Sequence, residues 1–414
     1  MIDELCARFG IEGRLRDAAR VAYERTATLR YDPQRHVAVN MLQAFLEEGI
    51  AESDLTGTTG YGYDDPARER YESLLARVLG AERAIARLSI VSGTHAIVAA
   101  LAACTPPSRT LLSISGRPYD TLRSAICEAP HALVHEGIAY REIALDATGG
   151  IDLPAVEAAL ARHDVATVFI QRSRGYAPRR SLCIAQCERA TQAIKRIAPQ
   201  TRVLVDNCYG ELVEEREPTQ AGADLVMGSL IKNLGGSLAP AGAYVAGRAD
   251  LVERVAARLY APGLGAALGP TLGFGRALCH GLFLAPLIVA ECLRGLDFIA
   301  ALFEGLGYEV EPEAGARRTD IVQAIRLGSP ERLTRFAAGL QSALPVNARF
   351  RPVPGAVPGY ADPVLMSSGA FISGSTIELS CDAPLRAPFE VYVQGGVSAA
   401  HAYLGALFAA RAVV

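Results

Sequence analysis

The sequence predicts an α/β fold, with a large, mostly parallel sheet domain and a smaller α+β domain at the C-terminal end. Three observations carry that prediction. Short apolar runs alternate with helix-length segments through residues 85–250, the pattern of a doubly wound sheet. Two of those runs, Val203–Val205 and Leu225–Met227, end on chemistry-bearing residues: Asp206 after the first, and Gly228-Ser229-Leu230-Ile231-Lys232 after the second. From Gly307 onward the pattern changes to separated strand candidates with one helix, Pro330–Leu344, between them. The expected organisation is a helical N-terminal arm over 1–50, a large domain over 51–260, and linking helices plus the small domain over 261–414.

Composition narrows the class. The chain has 414 residues, half of them hydrophobic, so it can bury a large core in two domains. No apolar span is long enough for a bilayer, and the acidic, amphipathic start MIDELCARFG does not read as a signal peptide. A net charge of −3 gives no electrostatic case for nucleic acid. Nine cysteines, an odd number without a repeated metal-ligand spacing, point to free thiols, a cytoplasmic protein and no metal site.

Taken in order, residues 1–50 read as helices, with Leu42, Phe45 and Leu46 as an apolar stripe. They suit packing on a partner subunit and on the chain's own domain equally well. Thr56–Pro66 holds three glycines, Tyr61, Tyr63 and a proline, and reads as a loop. Its hydroxyls suit phosphate donors or interface aromatics. A helix resumes from Arg68 to Leu79. Ile90-Val91 then leads into Ser92-Gly93-Thr94, where Ser92 can cap a following helix and Gly93 lets backbone N–H groups approach an anion. Leu111–Ile114 reads as a strand leading to Tyr119 on a proline-fixed turn, placed to stack on a flat ring or to cover the sheet edge.

Val165–Ile170 is a further strand, ending in Gln171-Arg172-Ser173-Arg174-Gly175-Tyr176. Arg172 and Arg174 suit a carboxylate or phosphate, or ion pairs to Glu211 or Glu214. A helix over Ile184–Ile197 precedes the Asp206 strand, and Gly242–Gly247 is one more strand. Residues 249–310 read as helical, broken near Pro262. Beyond them Gly307–Val310, Asp320–Arg326, Thr376–Ser380 and Phe389–Val393 read as strands, Asn347–Asp362 as a loop over the cleft, and Arg386 as a loop residue after a strand.

A lysine just past an apolar strand, with a serine three residues before it and a strand-end acid upstream, is a candidate Schiff-base lysine. Pyridoxal 5'-phosphate (PLP) needs such an amine for its aldehyde, an acid for its ring nitrogen and donors for its phosphate. The motif order matches a known pattern. Ser92–Ala96, Gly116–Thr121, Gln171–Tyr176, Val205–Glu214, Glu217-Pro218, Gly222–Leu225, Gly228–Asn233, Ile377–Ser380, Pro384–Pro388 and Tyr392–Gly396 resemble the methionine γ-lyase-like branch, often labelled aluminium resistance proteins, of the Cys/Met-metabolism PLP enzymes. The resemblance covers about residues 55–400.

The resemblance implies PLP-dependent transferase fold type I. It makes Lys232 the cofactor lysine, Asp206 the partner of the ring nitrogen and Tyr119 the stacking residue. Gly93, Thr94 and Ser229 hold the phosphate, and Tyr61 or Tyr63 arrives from a second subunit of a homodimer or homotetramer. Arg386 binds the α-carboxylate of a small amino-acid substrate, with Arg172 and Arg174 as rivals. The implied activity is γ- or β-elimination of a sulfur or halide leaving group. The alternatives are γ-replacement of the cystathionine γ-synthase type, γ-elimination of a halogenated unsaturated amino acid to a terminal alkyne, and a non-catalytic regulatory protein. Departures from the family pattern fall at Gly235–Pro240, Leu344–Phe350 and Met366–Ser375, mostly in the C-terminal, substrate-facing half.

Overall fold

A computed structural model of the chain describes residues 1–414, apart from the side chain of Asp32. The large sheet contains β1 (Arg83–Arg87), β2 (Thr110–Ser113), β3 (Ala139–Glu142), β4 (Val165–Gln171), β5 (Arg202–Asp206), β6 (Leu225–Ser229) and β7 (Ala243–Gly247). Their order across the sheet is β1-β7-β6-β5-β4-β2-β3. All residues of β4 and β6 are buried, because their apolar runs are covered by helices on both faces. Helix Ile184–Ile197 shows how that cover is specified: Ile184, Cys187, Ala190, Thr191 and Ile194 share its buried face. Helices Gly93–Cys104 and Ala249–Leu259 form a layer with a second buried cluster around Ile97, Leu101, Phe169 and Val252.

Pairing is parallel from β6 through β3, but β7 runs antiparallel to both β6 and β1. The Gly242–Gly247 run is therefore a strand, as expected, that interrupts the parallel pattern. Its connection from β6 holds only a 3-10 turn, Asn233–Gly235, and no helix for a parallel crossover.

The small sheet is wholly antiparallel. It contains β8 (Glu309–Glu311), β9 (Val322–Arg326), β10 (Val364–Ser368), β11 (Ser380–Pro384) and β12 (Glu390–Gln394), in the order β10-β11-β12-β9-β8. Helix Pro330–Gln341 buries Leu333, Phe336, Ala337 and Leu340 beside the C-terminal helix Ala399–Val413. The long helix Gly275–Gly305 packs against the N-terminal helices and against Ala399–Val413.

Three sequence expectations change here. The strand placed at Thr376–Ser380 starts only at Ser380. The preceding stretch is satisfied by local bonds instead: Gly396 N–H reaches the Ile377 carbonyl at 2.8 Å, and Glu378 accepts the Phe371 N–H at 2.9 Å. Asp382, Ala383 and Pro384 consequently lie in β11, which ends two residues before Arg386. Of the two readings of the Leu42–Leu46 stripe, packing on the chain's own domain holds only for Phe45. Helix Asp32–Glu48 buries Val37, Met41 and Ala44, leaving Leu42 49% and Leu46 73% exposed, while Phe45 meets Phe283 edge-on at 5.4 Å. Finally, the strand before the Ser-Gly-Thr segment is β1; Ile90 is buried but Val91 is exposed at the cleft mouth.

Candidate active site

The carboxyl ends of β4, β5 and β6 and the start of helix Gly93–Cys104 surround a cleft of about 290 Å³. Such crevices at strand carboxyl ends are where open α/β sheets bind ligands. Gly93, Thr94, Tyr119, Asp206, Ser229 and Lys232 all line it. Tyr176, Tyr360 and Gly374 contribute to its other walls.

The helix start forms an anion cradle. Ser92 Oγ accepts the His95 N–H at 3.1 Å, which leaves the first-turn N–H groups of Gly93 and Thr94 without intrahelical partners. A Cβ on Gly93 would stand 3.2 Å from Cys208 Sγ and 3.6 Å from the Ser229 nitrogen, so a side chain there would fill the cradle. Ser229 ends β6 beside it. Thr94 Oγ1 lies 2.8 Å from the Tyr119 hydroxyl, and Gln171 Oε1 accepts the Tyr119 N–H at 2.9 Å, fixing the ring at the cleft wall.

Sheet register puts Asp206 opposite Gln171 on β4 and Met227 on β6. Its buried carboxylate accepts the Cys208 N–H at 3.0 Å. Burial pushes its pKa up, against the pull of that hydrogen bond and of Lys232 and Arg179. Arg179 grips the strand end, donating to the carbonyls of Gln171 at 3.2 Å and Ser173 at 2.7 Å.

The chain has only two lysines. Lys195 is bound to Asp224 at 2.6 Å and to the Thr201 carbonyl at 2.9 Å. Lys232 faces the cleft, with Nζ 3.8 Å from the centre of the Tyr209 ring. Burial disfavours its ammonium, but Tyr209, Cys208 and Asp206 outweigh that and hold its pKa above the ordinary lysine value.

This donor set fits pyridoxal phosphate. It offers an amine, a buried carboxylate with capacity to spare for a ring N–H, an aromatic wall, and a helix N-terminus with a glycine cradle and a serine for a phosphate. Among the described residues no group of three or more His, Cys, Asp or Glu is placed to hold a metal. All nine cysteines are free, and among the described residues no helix is long and apolar enough to cross a membrane.

The three arginines and two tyrosines named from sequence lie away from the cleft lining. Arg172 is fully buried and its donors are committed: to Asn207 Oδ1 at 2.8 Å, the Gly210 carbonyl at 2.7 Å, Glu214 at 2.5 Å and the Leu182 carbonyl at 3.3 Å. The ion-pair reading with Glu214 therefore describes it. Arg174 serves the Ala177 and Glu311 carbonyls and lies 3.6 Å from Glu390. Arg386 sits at the rim, donating to Asp120 at 3.1 Å and to the carbonyl of Tyr176, with Asp362 at 3.6 Å. Tyr61 and Tyr63 point outward, 76% and 56% exposed. Their loop is held firmly: Gly269 N–H bonds to the Tyr61 carbonyl, and Asp65 takes the N–H groups of Thr58, Arg68 and Thr271.

Sequence reasoning gave no role to Cys208, Tyr209, Tyr360 or Arg179. Cys208 and Tyr209 immediately follow Asp206, and that adjacency was the available signal. Tyr360 comes from the Asn347–Asp362 loop, which does lie over the cleft, and its ring meets Tyr176 at 5.6 Å. Nothing in the local sequence marked Arg179.

A sequence profile of the methionine gamma-lyase family matches residues 18–414. A candidate cystathionine beta-lyase involved in aluminum resistance from Clostridium acetobutylicum superimposes with a TM-score of 0.95 at 38% identity, covering 100% of this chain and 98% of that one. A carbon-sulfur lyase involved in aluminum resistance from Clostridium novyi gives 0.94 at 37% identity, covering 100% and 99%. The pyridoxal-5'-phosphate-dependent protein YhfS from Escherichia coli gives 0.61 at 18% identity over 91% and 94%, a likeness of fold alone, and one that places the architecture in fold type I.

Proposed function

The chain belongs to the methionine gamma-lyase family, and from that premise we propose that it is a PLP-dependent carbon–sulfur lyase acting on a sulfur-bearing amino acid by γ- or β-elimination. The observation that carries this reading is the convergence of Lys232, Asp206, Tyr119 and the Gly93–Thr94–Ser229 cradle on one cleft.

When bound, pyridoxal phosphate supplies an electron sink for the charge left at Cα. The chain's own residues do the rest. Asp206, buried and with carboxylate capacity left, holds a proton on the ring nitrogen. A cation against it would favour its charged form. The Gly93 and Thr94 N–H groups and Ser229 bind the phosphate and fix the register of the ring. Tyr119 covers one ring face. Lys232 Nζ takes the proton from Cα and, being on a mobile side chain, reaches Cβ for the second deprotonation that loss of a γ-substituent requires.

Arg386 is the proposed receptor for the substrate α-carboxylate, since it already bonds the backbone of the cleft residue Tyr176 and is only half-buried. Arg172 is fully buried outside the cleft lining with all three nitrogens engaged, which sets it aside for that role. The firmly held, outward-facing Tyr61 and Tyr63 fit a homo-oligomer in which each copy lends these hydroxyls to its partner's phosphate site. The exposed Leu42 and Leu46 fit the same surface.

The test is turnover by the PLP-loaded protein with methionine, homocysteine, cystathionine, cysteine and a γ-halogenated amino acid, following 2-oxo acid, ammonia and thiol. Thiol, or hydrogen sulfide from homocysteine or cysteine, and 2-oxo acid in equal amounts from a sulfur substrate are expected. Turnover of the halogenated substrate alone would move the leaving group from sulfur to halide. No turnover with any of them would contradict the lyase reading.

A further inference from the structure

The loop over the cleft ends in a small closed tip. Gly355 and Val364 exchange N–H···O bonds at 3.1 and 2.9 Å, which pins residues 356–363 at their base. The tip lies against the turn that follows Tyr119. Thr121 Oγ1 donates to the Pro358 carbonyl at 3.1 Å, and a Cβ on Gly359 would stand 2.7 Å from Thr121 Cα. Tyr360 reaches from the tip into the cleft lining and meets Tyr176. Two residues further on, the Asp362 carboxylate stands 3.6 Å from Arg386 Nη1.

Arg386 is thus held from two sides, unequally. Nη2 donates to Asp120 and to the Tyr176 carbonyl, each at 3.1 Å. Nη1 makes a long bond to Asp120, at 3.4 Å, and its approach to Asp362 is too distant for a hydrogen bond. The local charge is already negative: the guanidiniums of Arg117, Arg123 and Arg386 share the carboxylates of Asp120, Glu128, Glu142 and Asp362. A further carboxylate is repelled there unless one of these acids leaves Arg386. Asp120 is fixed at the start of a helical turn, with its side chain 11% exposed. Asp362 is 39% exposed and sits on the tip, so it is the acid free to go.

We propose that Asp362 is a specificity-determining residue. It serves as an internal carboxylate on Arg386 until the α-carboxylate of the substrate takes its place, and its departure releases the Tyr360 tip from the cleft. An amine without a carboxylate has nothing to exchange for Asp362 and meets the tip in place. This exchange rests on the reading of Arg386 as the carboxylate receptor.

The test uses Asp362→Asn, which keeps the shape and removes the charge. In the full chain without cofactor, hydrogen–deuterium exchange of the amides in 356–362 should quicken about three- to fivefold, the scale of a part-exposed ion pair, with helix Ile184–Ile197 unchanged. A rate within about 1.5-fold of the native chain would overturn the proposal. In the PLP-loaded protein, binding of glycine and of methylamine is followed by the visible spectrum of the cofactor. Glycine carries a carboxylate and no leaving group; methylamine lacks both. Asp362→Asn should tighten glycine about threefold relative to methylamine. By reciprocity, saturating glycine should speed exchange of the native tip by about the same factor, and methylamine should not. Equal effects on the two ligands, or a tip that glycine does not loosen, would overturn the exchange. Neither ligand undergoes elimination, so these readouts stand apart from a failure of the lyase reading. Arg386→Lys isolates the receptor reading: weaker glycine binding in that variant, beside an Asp362→Asn variant that behaves as native, would keep the receptor and overturn the exchange alone.

Discussion

On the large-sheet side of the cleft, the groups proposed to hold the cofactor sit at or just past the end of a strand or at the start of a helix. Asp206 ends β5, Ser229 ends β6, Lys232 follows within one turn, and Gly93 and Thr94 open a capped helix. On the other side, Tyr360 and Gly374 come from loops, Tyr176 from the segment after β4, and Arg386 from beyond β11. The first wall is fixed by sheet register, so its geometry follows from a few local motifs. The second is assembled by packing between distant segments, and its arginine rests on the chain's own acids, Asp120 and Asp362. On the proposed function, cofactor chemistry belongs to the rigid wall and substrate choice to the assembled one.

If that division holds, the largest losses come from the register-fixed wall. Lys232→Ala should reduce turnover to background, and added PLP should no longer give the visible absorption of a lysine-bound cofactor. Asp206→Asn should keep the fold and cofactor but slow α-deuterium exchange of a substrate amino acid by about a hundredfold or more, because a neutral amide cannot hold the ring proton. Exchange at the native rate would detach Asp206 from the chemistry.

The arginines sharpen the contrast. Arg386→Lys should raise KM and lower kcat/KM by about ten- to a hundredfold while PLP stays bound, since a lysine cannot copy the bidentate grip. Arg172→Met should act through stability instead. Glu214 keeps Arg317 and the Ile184 N–H, but the buried acceptors on Asn207 and Gly210 lose their donor, which should destabilise the fold by roughly 1–3 kcal/mol, visible as a lower Tm. A normal Tm for Arg172→Met together with lost amino-acid binding would reverse the two assignments.

A smaller effect probes the rigid wall behind the lysine. Burial lifts the Glu211 carboxyl to about 8. The folded chain therefore holds this proton more tightly than the unfolded chain, whose carboxyl titrates near the ordinary 4.5. The contribution to stability is complete below the unfolded value and is lost as pH rises through the folded one. Glu211→Gln should flatten the fall in stability across that interval, as read by denaturant unfolding at several pH values. An unchanged pH profile would mean that Glu211 ionises freely in the fold.

The same division explains what could be read from sequence. Asp206, Ser229 and Lys232 were legible because a short apolar run announces a buried strand and the next residues announce its chemistry. The capped helix at Ser92 and the helix Ile184–Ile197 were legible for similar local reasons. Helical spacing shows a stripe at Leu42, Phe45 and Leu46 but does not say which stripe the chain's own core covers: Val37, Met41 and Ala44 take that face. Arg172 sits at a strand end like Asp206, yet its side chain turns into the core toward Glu214, a contact separated from it by 42 residues. Tyr209 depends on a positive φ enforced by Ile321 and Asn233, which no local propensity announces.

The central claim is that Lys232 is the residue that carries the cofactor, and the chain's two lysines make its test decisive. The protein would be loaded with PLP, reduced with borohydride, digested and mapped by mass spectrometry. A pyridoxyl label on Lys232, stoichiometric with the chain, is expected, and none on Lys195, whose amine is engaged by Asp224. A label on Lys195, or a reduced protein with no label on either lysine, would contradict it.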